Sequence, residues 1–281
     1  MVATGPLAGT PTGVAIDATG GIAWVTATLN HELIPVHLQS HVAAAAVGLP
    51  NAPGDLALPA AAGVAWVLYP SSNGSLSFLG SSAGPVEHTI PVGNDPDLLI
   101  GTGSESSWVA NSLDNTVQPI NYVGQSAGKP IAVDRAPIDL KLTADGSSVL
   151  VLSYGDGVHP GALTAINAST PNVSVPVAVG PGPGSLALSP AGDRAFVASY
   201  QTNTISVIDL TNWKLKGVIP LPCGPTTLAI TPDSSQLFVG CADSSAIVPI
   251  KLPDDSLGRP IAVPSLRRLV MPQAGTSLLV V

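Results

Sequence analysis

The sequence predicts an all-β protein, a seven-bladed β-propeller of four-stranded antiparallel blades written as one repeat of about 42 residues. Three observations carry that expectation. A block reading Pro-x-x-apolar-small-apolar returns along the whole chain, and a large apolar residue returns in register after it. No stretch keeps the i, i+3, i+4, i+7 apolar stripe of an amphipathic helix.

The block supplies the first strand of each repeat. It stands at Pro11 to Ile16, Pro53 to Leu58, Pro96 to Ile100, Pro137 to Leu142, Pro183 to Leu188 and Pro225 to Ile230, with prolines 42, 43, 41, 46 and 42 residues apart. A worn seventh copy runs from about Ser265 to Met271. Turn-forming residues follow, as in Thr143-Ala144-Asp145-Gly146, Ser189-Pro190-Ala191-Gly192 and Thr231-Pro232-Asp233-Ser234, and close a hairpin. The second strand then carries the recurring large residue, in the series Trp24, Trp66, Trp108, Leu150, Phe196, Phe238 and Leu278. A third strand is clearest at Thr116 to Ile120 and Thr204 to Asp209. A fourth ends in Ile90-Pro91-Val92-Gly93, Ile131-Ala132-Val133 or Ile219-Pro220-Leu221. Residues 1–281 thus read as a single propeller domain.

The ends of the chain bear on closure. The seventh copy stops after its second strand, at Leu278 to Val281, while residues 1–9 align with a fourth strand. N-terminal and C-terminal strands sharing one blade would close the ring and leave no free sheet edge. That blade has three strands, or a further N-terminal piece supplies the missing one; the second reading is preferred.

Composition bounds the function. A net charge of −8 argues against nucleic acid, which needs a basic surface to neutralise phosphates. No apolar run reaches the ~18 residues of a membrane span. Met1 does not open a secretion signal, yet a Ser/Thr/Gly-rich chain with few lysines suits an exported or cell-surface protein; a cytoplasmic location stays open.

Ser107-Trp108-Val109-Ala110-Asn111-Ser112-Leu113-Asp114-Asn115-Thr116-Val117 and Ala195-Phe196-Val197-Ala198-Ser199-Tyr200-Gln201-Thr202-Asn203-Thr204-Ile205 resemble the YVTN family of β-propeller repeats. The resemblance spans nearly the whole chain and is best in repeats 3, 5 and 6. It implies a binding scaffold, as in most members, with lactonases and other small-molecule enzymes among similar propellers. Repeats 1 and 2 depart from the pattern, with Thr26-Ala27 and Leu68-Tyr69 where Thr/Ala-Asn is usual.

In such a fold the fourth-to-first and second-to-third connections share one face, where loops on a rigid scaffold carry function. The longest is Tyr154-Gly155-Asp156-Gly157-Val158-His159-Pro160-Gly161 in repeat 4. Ligand-binding candidates on this face are Tyr154, Asp156, His159, Asp97, Asn111, Tyr200 and Arg267. Catalytic candidates are His159 and His31 as general base, Arg135 for an anion, and Asp139. Asp55, Asp139, Lys141 and Arg267 fall on first strands and are expected to face a common cavity, either for proton transfer or as structural ion pairs; the structural role is preferred.

The five histidines show no metal-ligand spacing, so neither a metal nor a cofactor is expected. Cys223 and Cys241 flank one hairpin; a disulfide between them is feasible, with two unpaired thiols the preferred reading. Two functions stay in play. The first is a non-catalytic binding propeller that holds a protein, glycan or small molecule on its loop-rich face. The second is a metal-independent enzyme of lactonase, lyase or cyclase type on the same face.

Overall fold

The computed structural model describes residues 10–16, 21–58, 65–80, 86–101, 106–121, 123–157, 159–252, 254–263, 266, 269–270 and 279–280. Every strand and helix assignment among them is β. Contacts divide the chain into two units, Met1–Ala132 and Val133–Val281.

The first unit holds three antiparallel sheets in sequence order. Sheet 1 comprises Pro11–Ile16, Ile22–Ala27, Glu32–His37 and an outer strand in two pieces, Val42–Ala43 and Val47–Gly48. Sheet 2 comprises Leu56–Ala57, Ala65–Tyr69, Ser75–Leu79 and Val86–Pro91. Sheet 3 comprises Pro96–Gly101, Ser106–Asn111, Thr116–Asn121 and the pieces Ser126–Ala127 and Ile131–Ala132. In the second unit, sheet 4 is Pro137–Leu142, Ser148–Ser153, Ala162–Asn167 and Val177–Ala178. Sheet 5 is Pro183–Leu188, Arg194–Ser199, Thr204–Asp209 and Lys214–Pro220. Sheet 6 is Pro225–Ile230, Gln236–Cys241, Ala246–Lys251 and the pieces Ser256–Leu257 and Ile261–Ala262. Leu269–Val270 pairs with Leu279–Val280 in the seventh copy. The expected pairing with residues 1–9 lies outside the described residues.

In every sheet from 1 to 6 except sheet 2 the repeat proline is the first residue of its first strand, a position where a missing N–H is tolerated. In sheets 1, 3, 4, 5 and 6 the register slips between that proline and the residue two positions on, a bulge that begins every such strand alike. In sheet 2 the regular strand is shorter than the sequence suggests, although Gly54 N–H still donates to the Leu68 carbonyl at 2.8 Å. The following turns are closed by Gly146, Gly192 and Ser234 in the left-handed region (φ 70°, 73° and 57°). Their N–H groups donate to Thr143, Ser189 and Thr231 carbonyls at 2.9, 2.8 and 2.9 Å. Asp145 and Asp233 cap these turns, and hydroxyl donors led by Thr143 and Thr231 hold both carboxyls down at about 2.

The recurring large residue has a partner on the third strand that shapes the sheet edge. Trp24 faces Pro35, Trp108 faces Pro119 and Phe238 faces Pro249. A proline there has no N–H to give the fourth strand. Its carbonyl still accepts from Ala44, Gly128 or Gly258 at 2.7 Å, and the outer strand breaks into two short pieces in these three sheets. Where the facing residue is Phe78 or Val207, the outer strand runs unbroken as Val86–Pro91 or Lys214–Pro220. Sheet 4 reaches a similar break without proline, because Ala165 N–H donates to the Ser174 hydroxyl at 2.9 Å.

The cores lie between successive sheets. Trp66, Leu68 and Phe78 of sheet 2 pack with Leu99, Val109 and Ile120 of sheet 3, while Leu237, Val239 and Ile250 of sheet 6 pack with Phe196 and Val207 of sheet 5. Side-chain staples add to this packing. Asp55 Oδ2 accepts from Leu99 N–H at 3.1 Å, Asp139 Oδ2 from Leu186 N–H at 3.0 Å, and Thr227 Oγ1 from Leu269 N–H at 3.1 Å. Each is the residue two past the repeat proline, and each holds the first strand of the next sheet. Asp139→Ala would leave that N–H unsatisfied, so a loss of about 1–3 kcal/mol is expected in urea unfolding. Asp139→Asn keeps an acceptor and should recover most of it; an alanine variant as stable as wild type would rule the staple out.

Candidate functional site

Antiparallel pairing places the end of each second strand beside the start of the first, as in Pro137 opposite Ser153. The connections leading into first strands therefore meet those leaving second strands. Four side chains make this junction. The last residues of four second strands are Asn111, Ser153, Ser199 and Cys241. Asn111 Oδ1 accepts from Gly93 N–H at 3.0 Å, Ser153 Oγ donates to the Asp134 carbonyl at 3.0 Å, and Ser199 Oγ donates to the Gly180 carbonyl at 3.2 Å. Cys241 makes the same tie covalently, as a disulfide to Cys223 with a Cα–Cα distance of 5.9 Å. The preferred reading of two unpaired thiols is thus corrected: the hairpin holds both backbones within the reach of a bridge. Asn111 is fully buried, and its amide also donates to Thr116 Oγ1 at 3.1 Å. It sits beneath the surface as part of the frame.

The long connection of sheet 4 folds onto one carboxylate. Tyr154 and Gly155 continue the ladder beyond the strand, donating to the Ala136 and Arg135 carbonyls at 2.8 and 3.0 Å. Gly155 has φ 88°, and a Cβ there would lie 2.6 Å from the His159 carbonyl oxygen, so only glycine makes this turn. Asp156 then accepts from His159 N–H at 2.7 Å, and its oxygens lie 3.0 and 2.9 Å from His159 Nδ1. Arg135 Nη1 meets the same carboxylate at 3.0 Å. Asp156 is largely covered (21% exposed), whereas Arg135 and His159 stand out in solvent at 70% and 77%. One shielded acid holds two exposed cationic or polar groups.

The next connections extend this cluster. Gln201 Nε2 donates to Tyr154 Oη at 3.2 Å. The neighbouring Tyr200 ring lies against Gly224, where any Cβ would meet the ring at 2.5 Å. Gly224 N–H in turn donates to Asp243 Oδ2 at 3.0 Å. Tyr154 and Tyr200 remain 37% and 49% exposed. Arg135, Asp156, His159, Tyr154, Gln201 and Tyr200 thus form one strip across sheets 4 and 5 of the second unit. The sequence brings forward all of them as candidates or as members of the same connections.

The other candidates are placed differently. In the first unit, His31 is the left-handed residue (φ 54°) of a second-to-third turn, the position held by Asn115, Asn203 and Ser245 elsewhere. Asp97 is an exposed residue of the first strand of sheet 3. Desolvation pushes its carboxyl up, Asp95 and Asp55 add to the rise, and the Ser112 hydroxyl opposes it. Asp139, beyond its staple, pairs with Lys141 Nζ at 2.8 Å on the wall of a cleft formed by first strands. Arg267 lies outside the described residues. Among the described residues no group of three or more His, Cys, Asp or Glu could hold a metal ion. No helix among them is long and apolar enough to cross a membrane.

No family model matches the sequence, and no curated protein matches it. Solved structures do. Hydrazine synthase of Kuenenia stuttgartiensis superposes with a TM-score of 0.79 at 14% identity, covering 99% of this chain and 99% of that one. The β-propeller domain of Cps50 (Swd1) from Myceliophteria thermophila gives 0.72 at 11% identity, covering 97% of this chain and 93% of that one. The chain is a β-propeller. A functionally unknown protein of Desulfotomaculum acetoxidans DSM 771 has the same likeness, with a TM-score of 0.71 at 14% identity over 98% of this chain and 90% of that one. At these identities the likeness concerns the fold alone; in this propeller the chemistry has to be read from its own loops.

Proposed function

We propose that this propeller is a non-catalytic binding module, of the YVTN-repeat kind, which holds a protein, glycan or small-molecule partner on the loop face of its second unit. The observation that carries the reading is the strip from His159 to Tyr200: two half-exposed tyrosines beside an exposed Arg and His, all pinned by Asp156, Gln201 and Gly224. Exposed aromatic and Arg side chains are the usual anchors of recognition surfaces, and pinning them lowers the ordering cost of binding. The buried Cys223–Cys241 bridge fits an exported or cell-surface protein, since disulfides persist in oxidising compartments.

A second reading, a metal-independent enzyme on the same face, is favoured by one contact. Asp156 engages His159 Nδ1, which leaves Nε2 outward as a general base. Its weakness is exposure: a base 77% open to water has no dry, shaped pocket around it.

One experiment separates them. Wild type and a Tyr154→Ala/His159→Ala/Tyr200→Ala variant are screened against glycans, peptides and lactones, with binding and turnover both recorded. The binding reading expects partners that wild type retains without turnover and that the variant holds about tenfold or more weakly. Equal retention by the variant sinks it, and turnover lost on His159→Ala alone moves the assignment to the enzyme.

A further inference from the structure

The inner wall of the second unit carries a cleft that the loop face does not use. It encloses about 590 Å³ between the first strands of sheets 4, 5 and 6. That volume lies in the range of small-molecule sites. The reason it is open is visible in the repeat. Four residues past the repeat proline, sheets 5 and 6 place only Ala187 and Ala229, whereas sheet 4 places Lys141 in the same slot. One cation thus stands beside a wall of small side chains, its ammonium turned to Asp139 two residues back on the same strand.

The hydrogen-bond inventory of the cleft is lopsided. Both oxygens of Asp139 are engaged, one accepting from Leu186 N–H at 3.0 Å and the other from Lys141 Nζ at 2.8 Å. Lys141 is 42% exposed and uses one of its three N–H bonds on that contact. The Thr227 oxygen accepts from Leu269 N–H, so its own proton remains to be given. Ser185 also lines the cleft and adds another hydroxyl. What the cleft offers a guest is mostly donors, with the Lys141 charge shared with Asp139.

We infer that this cleft binds a small organic carboxylate, its oxygens taken by Lys141 and the Ser185 and Thr227 hydroxyls and its carbon body lying against Ala187 and Ala229. An ammonium-to-carboxylate hydrogen bond is about twice as strong as a neutral one, so the carboxylate selects itself over an amide or alcohol of equal shape. The acidic chain as a whole repels anions, which makes the binding weak at long range and dependent on the local cation.

The test is calorimetric titration of the full chain with short aliphatic mono- and dicarboxylates, and with their primary amides as shape controls. Binding of at least one carboxylate about tenfold tighter than its amide is expected, with an equal loss in Lys141→Met and retention in Lys141→Arg. Lys141→Met also unpairs Asp139, so Ala187→Leu provides a second variant that fills the cleft without touching a charge; it should abolish binding. No carboxylate bound at millimolar concentration, an amide bound as well as its acid, or an unchanged affinity in Ala187→Leu would each overturn the assignment. Variants of the loop face should leave this titration unaltered, so the two sites stand or fall separately.

Discussion

Trp66→Ala is expected to destabilise the protein by about 3–5 kcal/mol, seen as a lower urea midpoint with an unchanged slope. Trp66 is fully buried and meets Phe78 edge-to-face, with centroids 5.2 Å apart and planes at 73°. The cluster around it also contains Leu99, Val109 and Ile120 of the next sheet, so truncation opens a void at a joint between two sheets of the first unit. Two separately rigid sheets cannot collapse into such a void as a loop could, which puts the cost at the upper end. Trp66→Phe, which keeps a ring against Phe78, should cost visibly less. A loss below 1 kcal/mol for the alanine variant would mean that the sheets are not held together through this slot.

Removing the disulfide in a Cys223→Ala/Cys241→Ala variant is expected to cost about 3 kcal/mol, the chain-entropy value for a loop of this length. The sequence separation is 18 residues, and both cysteines are buried (5% and 0% exposed). Alanine is chosen because serine would bury two hydroxyls. The bridge holds the entry of one strand to the exit of the next, the role that Ser199 and Asn111 fill with single hydrogen bonds of about 1 kcal/mol each. A covalent tie in one sheet and weak ties in the others predict that sheet 6 is the most firmly closed of the set. Unfolding curves of oxidised and reduced wild type should differ by the same amount as the double variant; coincident curves would show that the bridge constrains nothing.

The repeat made the fold legible, because a proline that opens a strand and a large residue that fills a slot return at nearly constant spacing. The strip at His159 was legible for a related reason: an insertion is conspicuous against a tight period. Asn111 and Cys241 were harder. A polar side chain at the end of a second strand looks the same in sequence whether it turns outward to a ligand or inward to the neighbouring connection. Aligning the last residues of the second strands as a column (Asn111, Ser153, Ser199, Cys241) would have shown one slot filled by four small polar or sulfur side chains, the mark of a shared tie. The third-strand prolines Pro35, Pro119 and Pro249 were equally readable, since a missing N–H in that position forbids an unbroken outer strand.

Those broken outer strands bear on how the protein behaves in a crowd of its own copies. The last strand of a sheet presents free N–H and C=O groups, a template onto which another chain can add. In sheets 1, 3 and 6 the template is cut into two-residue lengths by proline, too short to recruit a partner strand. The two outer strands that run unbroken are guarded otherwise: Val86–Pro91 carries Glu87 and His88, and Lys214–Pro220 carries Lys214 and Lys216. A chain with only ten Lys and Arg places two of them there. Among the described edges, proline thus guards three and charged side chains two, so this apolar, strand-rich chain needs few charges to discourage pairing edge to edge.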